Sequence, residues 1–222
     1  MGNLGLSKVH VLIAMPVPLN FTIDVEAATF CASACARGLA SWIPMPSRTS
    51  EDARTAIIHS FLHEHKPATH LFFLDADTAP VNIYALEKLL SHNKDVIAGV
   101  TPCYIKNSQK FRWSVRMQDG TESDKVKWLD VNELPEKPFI AEAVGGTTLL
   151  IKRHVLEKMT MPYQYTVRHP QTFAVEMSED IYFSKKIQSM GFDIWVDPAV
   201  ECHHRNMVDL LEFMKQAEQC QK

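Results

Sequence analysis

The sequence predicts an α/β fold in which a mixed, mostly parallel sheet is flanked by helices. Short apolar runs, such as VHVLIAM at residues 9–15, alternate with longer segments whose apolar residues recur at helical spacing, such as residues 49–66. This alternation is typical of a parallel sheet that helices cover. A length of 222 residues with 46% apolar residues provides for one substantial core, so we expect a single domain over residues 1–222.

The first half of the chain alternates between predicted strands and helices. Strands are expected over residues 9–15, 41–46, 69–77 and 95–102, because these runs are apolar and end in turn-forming residues. Helices are expected over residues 22–40, 49–66 and 80–93; Gly38 would end the first, Thr49 or Ser50 would cap the second, and Pro80 would begin the third. This order implies parallel strands with helices on both faces.

The second half of the chain is less regular. Residues 103–138 are polar and aromatic, and they include Trp113 and Trp128, which could stack on a sugar ring or fill the core. Residues 139–159 are expected to form a strand, a glycine pair and a helix; residues 178–191 a helix; and residues 192–204 a strand with its exit. A final amphipathic helix is predicted over residues 208–222.

Charge, hydropathy and cysteine content exclude several classes of protein. A net charge of −3 and an isoelectric point near 6.4 provide no basic surface for nucleic acid. The apolar run at residues 9–15 is interrupted by Pro16 and Pro18, and no run reaches the length of a transmembrane helix. The five cysteines are scattered and odd in number, which favours reduced thiols in a soluble, cytoplasmic protein.

Two aspartates follow the third predicted strand in the stretch HLFFLDADTAP at residues 70–80. Asp77 or Thr78 could simply cap the next helix. A second interpretation is the nucleophile motif of haloacid dehalogenase-type phosphatases, but Ala79 stands where that motif has Thr or Val, and the motif normally follows the first strand. A third interpretation is a divalent metal held against a diphosphate, since Mg²⁺ and Mn²⁺ prefer oxygen ligands.

The third interpretation gains support from motifs about a hundred residues downstream. Glu179 and Asp180 begin a predicted helix, and His203 and His204 end the last predicted strand. In this order the motifs resemble those of GT-A fold glycosyltransferases, in particular the family 2-like enzymes that carry a DxD motif and use nucleotide sugars. The resemblance covers residues 9–204 and extends to the segments IAMPV, DARTAI, DVIAGVTP and AVGGTT.

The resemblance implies a Rossmann-like GT-A domain and a set of site residues. Donor-binding residues would be Ala14, Met15, Pro16, Arg54, Asp75, Ala76, Asp77, Gly145 and Gly146. The metal, Mn²⁺ or Mg²⁺, would be held by Asp77 and Asp75 together with a late histidine, with His204 preferred to His203. Asp180 would be the general base of an inverting transfer, with Glu179 beside it, and a UDP-sugar is the first expectation for the donor. From the residues alone, Arg54 could instead form a surface ion pair with Glu51.

The resemblance also implies a division of labour along the chain. Residues of about 8–102 would form the nucleotide-sugar-binding half, and residues of about 103–207 the acceptor and metal half. The chain is short for this group, so its acceptor region would be abbreviated or completed by a second copy in a homo-oligomer. The acceptor could be a glycan, a lipid-linked sugar, a protein or a small molecule. Alternatives are a nucleotidyltransferase, although its Gly-rich phosphate loop is absent, and a non-catalytic nucleotide-sugar-binding protein.

Overall fold

A computed structural model describes residues 9–19, 22–105, 110–119 and 126–205, and its mixed α/β architecture confirms the predicted fold class. The helix predicted over residues 208–222 lies outside these residues. Among the described residues, every helix is too short or too polar to span a bilayer.

Helices and strands alternate through the first hundred residues of the described chain, as predicted. The helices are α1 (Val25–Ala36), α2 (Ser50–His63), α3 (Ala85–Ser91), α4 (Arg153–Glu157) and α5 (Glu179–Ser189). The strands are β1 (Val11–Pro18), β2 (Ala40–Ser47), β3 (His70–Phe73), β4 (Thr78–Pro80), β5 (Val96–Val100), β6 (Pro102–Ile105), β7 (Lys110–Gln118), β8 (Val126–Asp130), β9 (Phe139–Ala141), β10 (Ala143–Val144), β11 (Leu149–Lys152), β12 (Val167–Arg168), β13 (Val175–Met177) and β14 (Ile194–His204).

The main sheet of the described chain has eight strands in the order β2-β1-β3-β11-β5-β14-β4, and β9 pairs with β14. Strand β1 pairs parallel with β2 and β3, and β5 pairs parallel with β14. Strand β11 lies between β3 and β5 and is antiparallel to both. The carboxyl ends of β1, β3, β5 and β14 therefore meet at one edge, where open α/β sheets bind ligands.

Helices cover both faces of the main sheet because its central strands are apolar on both sides. Residues 11–15 of β1 are completely buried. Helices α2, α4 and α5 bury apolar side chains on one face, and α1 and α3 do so on the other. Helix α1 begins after Asp24, whose side chain accepts hydrogen bonds from the amides of Glu26 and Ala27, and α2 begins after Thr49, the predicted N-cap.

A smaller sheet lies beside the carboxyl end of β5. It has the order β10-β7-β6, and β8 also pairs with β7, antiparallel. Val115 of β7 packs into the core, and the Ser114 amide donates to the Thr101 carbonyl (2.8 Å), which fixes β7 against the end of β5. A short hairpin of β12 and β13 precedes α5. The smaller sheet therefore supplies one wall above the ligand-binding edge of the main sheet.

Residues 78–80 differ from the prediction of a helix that begins at Pro80. They form strand β4, which pairs antiparallel with β14 so that Thr78 faces His204 and Pro80 faces Cys202. Helix α3 begins at Ala85, without a side-chain cap. The prediction that Asp77 or Thr78 caps a helix is wrong, because the end of β14 offers hydrogen bonds that a local reading of the sequence cannot anticipate.

Candidate functional site

A cavity of about 360 Å³ lies at the carboxyl ends of the strands, between the main sheet and the smaller sheet. Most of the predicted site residues line it: Pro16, Arg54, Asp75, Ala76, Asp77, Gly145, Gly146, Glu179, Asp180 and His204. Other lining residues come from the β2–α2 connection and the smaller sheet: Ser47, Arg48, Thr49, Ser50, Thr101, Cys103, Ser114 and Thr147. The folded chain thus brings motifs from both halves to one place.

Three predicted site residues do not line this cavity. Ala14 and Met15 are fully buried within β1 and their side chains do not reach the cavity. His203 is exposed and pairs with Ala79, whereas the neighbouring His204 lines the cavity. This difference follows from the alternation of side chains along a strand, which sends adjacent residues to opposite sides.

The turn that carries Asp75 and Asp77 is held by backbone hydrogen bonds. The Thr78 amide donates to the Asp75 carbonyl (3.1 Å), and the Asp24 amide donates to the Ala76 carbonyl (2.8 Å). The Arg205 amide donates to the Asp77 carbonyl (2.9 Å), which ties the turn to the end of β14. The backbone that carries both aspartates therefore has a fixed position at the edge of the sheet.

Asp77 and His204 form a pair within the cavity. Their Oδ2 and Nε2 atoms are 3.5 Å apart, and His204 Nδ1 lies 2.8 Å from the carbonyl oxygen of Pro102. Since that oxygen can only accept, Nδ1 carries the hydrogen and Nε2 is the atom that faces Asp77. The hydrogen bond to Asp77 raises the pKa of His204, although burial opposes this change.

The Asp77–His204 pair offers two donor groups of the kind that a divalent ion binds. One carboxylate and one imidazole suit Mn²⁺, and a carbonyl on the second ring nitrogen is the usual support of a metal-binding histidine. In the described parts of the chain, no group of three or more His, Cys, Asp or Glu residues is arranged to hold a metal ion. An ion here would therefore take its remaining ligands from substrate phosphates and water, as Mg²⁺ and Mn²⁺ commonly do.

Arg54 links the Asp75 turn to the start of α5. Its Nη2 lies 2.6 Å from Asp75 Oδ1 and its Nη1 lies 3.7 Å from Glu179 Oε1, and its side chain is only 6% exposed. Arg54 therefore does not form the surface ion pair with Glu51 that the sequence left open. Gly146 makes room for the guanidinium, because a Cβ at this position would lie 2.5 Å from both Cζ and Nε.

Glu179 and Asp180 begin α5 at the wall of the cavity. Glu179 Oε1 accepts a hydrogen bond from Ser50 Oγ (3.0 Å) in addition to its contact with Arg54. Asp180 Oδ1 accepts from Ser178 Oγ and from the Ile181 amide (2.8 Å). These contacts fix the Asp180 carboxylate, which is half-buried and lines the cavity as a potential proton acceptor.

Comparison of the chain with known proteins finds similar structures but no similar sequences. No protein-family model matches the chain, and no curated protein matches its sequence. Solved structures do match: the A197 protein from STIV has a TM-score of 0.61 at 18% identity, over 90% of this chain and 87% of that chain. GalNAc-T7 with UDP, GalNAc and Mn²⁺ has a TM-score of 0.53 at 12% identity, over 91% of this chain and 44% of that chain.

At these identities the comparisons establish the fold alone. The protein has a GT-A-like fold, which it shares with the A197 protein and with GalNAc-T7. The chain covers 44% of the GalNAc-T7 chain, so it spans less than half of that protein's length. The predicted fold class is confirmed: the fold is Rossmann-like and its mixed sheet is flanked by helices, although four of the seven described strand pairings in the main sheet are antiparallel.

Proposed function

We propose that the protein is a glycosyltransferase that moves a sugar from a nucleotide-diphosphate sugar to an acceptor hydroxyl, with the help of Mn²⁺ or Mg²⁺. The observation that carries the proposal is that one cavity of about 360 Å³ holds both a metal-compatible pair, Asp77 and His204, and a separate fixed carboxylate, Asp180. Glycosyl transfer needs both parts, since the leaving diphosphate gains charge while the acceptor hydroxyl loses a proton.

The donor would occupy the side of the cavity formed by β1 and the Asp75 turn. Asp77 and His204 would hold the metal ion, which when bound supplies electrostatic stabilisation of the diphosphate leaving group. Asp75 already accepts a hydrogen bond from Arg54 and would bind the ribose or assist the metal. A UDP-sugar is the first expectation, in keeping with the UDP in the GalNAc-T7 structure.

The acceptor would approach from the side of the smaller sheet and α5. Asp180 would take the proton of its hydroxyl as the hydroxyl attacks the anomeric carbon, which gives inversion of configuration. General-base assistance of this kind contributes about 10²–10⁴-fold to the rate. Glu179 would not share this role, because Arg54 and Ser50 already engage its carboxylate; it would instead keep Arg54 in place.

Thermal unfolding with a panel of nucleotide sugars tests this proposal. A donor at a hundredfold excess over its Kd adds about 2.7 kcal/mol to the free energy of unfolding, which raises the Tm of a chain of this size by about 5–10 °C. We expect such a shift with a UDP-sugar and Mn²⁺, a smaller one after chelation of the metal, and none with the free sugar. Absence of a shift with every nucleotide sugar, with or without metal, would refute the proposal.

A further inference from the structure

The smaller sheet contributes residues to the candidate site and to a second cavity. Strand pairing places Cys103 opposite Arg112 and Arg116 opposite Trp128, with an irregularity in β7 between the two pairs. Cys103 lines the first cavity, together with Ser114. The second cavity has a volume of about 400 Å³ and is lined by Ile105, Arg112, Lys127, Trp128, Asp130 and Glu133.

Arg116 does not itself line either cavity, but its guanidinium stacks on Trp128, which lines the second cavity, and lies near Asp180, which lines the first. The guanidinium lacks a polar partner in the described chain. Its Cζ is 4.0 Å from the centroid of the Trp128 ring, a stacking contact that holds the guanidinium in one plane. No hydrogen bond or ion pair joins the guanidinium to any residue described here, and its Nη1 atom is fully buried. A buried donor without a partner is rare in folded proteins, and a ligand is one way to satisfy it.

The neighbouring cations differ from Arg116 because each already faces an acid. Arg112 Nη1 forms an ion pair with Asp130 Oδ2, and Lys127 Nζ lies 3.8 Å from Glu133 Oε1. For Arg116, burial lowers the pKa of the guanidinium, and the negative charge of Asp180 opposes that change from a distance. Arg116 is therefore a positive charge near Asp180 that no acid of the described residues contacts directly.

We propose that Arg116, stacked on Trp128, binds an oxyanion that the acceptor carries, either a carboxylate or a phosphate. The inference rests on the proposed function, because Asp180 marks where the acceptor hydroxyl would lie. A fixed guanidinium donates two parallel hydrogen bonds to such a group, which both binds and orients it. The second cavity would take the rest of the acceptor, since its mixture of acids, bases and an aromatic ring suits the hydroxyls and faces of a sugar.

The oxyanion bound by Arg116 would belong to the acceptor substrate and not to the donor. Asp77 and His204, the metal-compatible pair, are held by the pairing of β4 with β14 in the main sheet. Arg116 belongs to the smaller sheet, and the aromatic ring against its guanidinium lines the second cavity rather than the first. An anionic group on the acceptor would therefore bind at the smaller sheet, whereas the donor diphosphate would bind at the main sheet.

Matched monosaccharide probes test this inference by NMR titration at constant ionic strength. Glucuronic acid supplies a carboxylate, glucose 6-phosphate supplies a phosphate, and glucose is the neutral control. We expect the wild-type protein to bind at least one of the two anionic probes at least about tenfold more tightly than glucose, and the probe that it prefers identifies the source of the oxyanion. Equal binding of all three probes would overturn the proposal.

Variants of Arg116 assign the effect to this side chain. R116Q should remove the preference for the anionic probe. R116K should keep only part of it, because lysine retains the positive charge but lacks the two parallel N–H donors of the guanidinium. R37Q is the matched control: Arg37 also lies over an aromatic ring, at 5.2 Å from Tyr84, but it is paired with Glu87. If R116Q does not fold, W128L is the substitute, since it removes the stacking that holds Arg116.

Binding of UDP with Mn²⁺ separates this inference from the proposed function. The affinity for UDP should be unchanged in R116Q. An equal loss of UDP and of the anionic probe would mean that Arg116 serves the donor, and would overturn the assignment to the acceptor. If the wild-type protein binds no nucleotide but still binds the anionic probe through Arg116, the proposed function fails, and the acceptor role fails with it, while the oxyanion site stands.

Discussion

Replacement of Gly146 by alanine should displace Arg54 from the carboxylates that it joins. The added Cβ would lie 2.5 Å from Cζ and Nε and 2.8 Å from Nη2 of Arg54. Among the described glycines, the left-handed backbone occurs at Gly38 and Gly191 but not at Gly146, so alanine fits the backbone there. The cost of G146A therefore comes from the guanidinium, which must move.

The magnitude follows from the burial of the three charges. Removal of one partner of a fully buried ion pair costs about 3–5 kcal/mol. The side chains of Asp75 and Glu179 remain 28% and 23% exposed, so water compensates in part. We therefore expect R54A to lower the free energy of unfolding by about 2–3 kcal/mol. G146A should lower it by about 2 kcal/mol, within the usual range for overpacking.

A double-mutant cycle measured by urea unfolding isolates the contact between the two residues. The three atoms nearest to the new Cβ all belong to Arg54, so once Arg54 is alanine G146A should change the free energy of unfolding by less than about 0.5 kcal/mol. The coupling energy should be about 2 kcal/mol. G145A is the matched control: its Cβ would meet Ser114 Oγ at 2.0 Å, so its effect should be the same with and without Arg54.

Additivity of R54A and G146A to within about 0.5 kcal/mol would refute this reasoning. It would mean that Arg54 does not occupy the space beside Gly146 in the folded protein. The link from Asp75 through Arg54 to Glu179 would then lose its structural basis.

Two further predictions concern pH and metal. Burial lowers the pKa of His70 from 6.5 to about 4, and the charges of Lys152 and His154 act in the same direction. Between pH 4 and 6.5 the unfolded chain therefore binds about one more proton than the folded chain, so the free energy of unfolding rises with pH across this window. Acidification from pH 7 to 4 should lower the free energy of unfolding by about 3 kcal/mol through His70. Urea unfolding of H70Q should lack that loss. An unchanged pH slope in H70Q would contradict this. D77A should weaken the binding of UDP with Mn²⁺ by at least about tenfold in calorimetry and leave the binding of UDP without metal unchanged. The control D193N, at an exposed aspartate, should change neither affinity. Equal losses with and without Mn²⁺ would argue against a metal at Asp77.

Local signals in the sequence predicted most of the regular elements. The VHVLIAM run contains the start of β1, because an apolar and β-branched segment can be buried on both faces of a sheet. The predicted cap Thr49 does begin α2, where its side chain accepts a hydrogen bond from the Asp52 amide (3.1 Å). Such features depend on a few neighbouring residues, so they are visible without the fold.

Pairings between distant segments could not be predicted in this way. Strand β11 is followed closely by a helix and is apolar like its neighbours, yet it enters the sheet between β3 and β5 in the opposite direction. The stretch after Asp77 looks like a helix start because of Pro80, but its backbone pairs with the end of β14 instead. That same pairing brings His204 to Asp77, so the missed strand is what assembles the pair.

The candidate site was visible in part. The sequence singled out Asp75, Asp77 and Asp180 by their position at the ends of predicted elements, and the structure places all of them in one cavity. It did not single out Arg116, whose environment depends on the pairing of β7 with β8. The alternation of polar and apolar residues along 110–118 was the signal in the sequence that indicated a strand carrying Arg116. Of the two tryptophans considered, Trp113 packs against the core, whereas Trp128 stacks on Arg116.

Turnover of a UDP-sugar by wild type and D180N tests the central claim most directly. Nucleotide release is measured at saturating donor and Mn²⁺, with water or an added sugar as acceptor, and UDP affinity is measured in parallel. We predict that D180N lowers kcat by about 10²–10⁴-fold and leaves UDP affinity unchanged, because Asp180 would act on the acceptor proton alone. Turnover of D180N at the wild-type rate would contradict the assignment of the base, and the absence of turnover by the wild type with every donor would contradict the proposed activity itself.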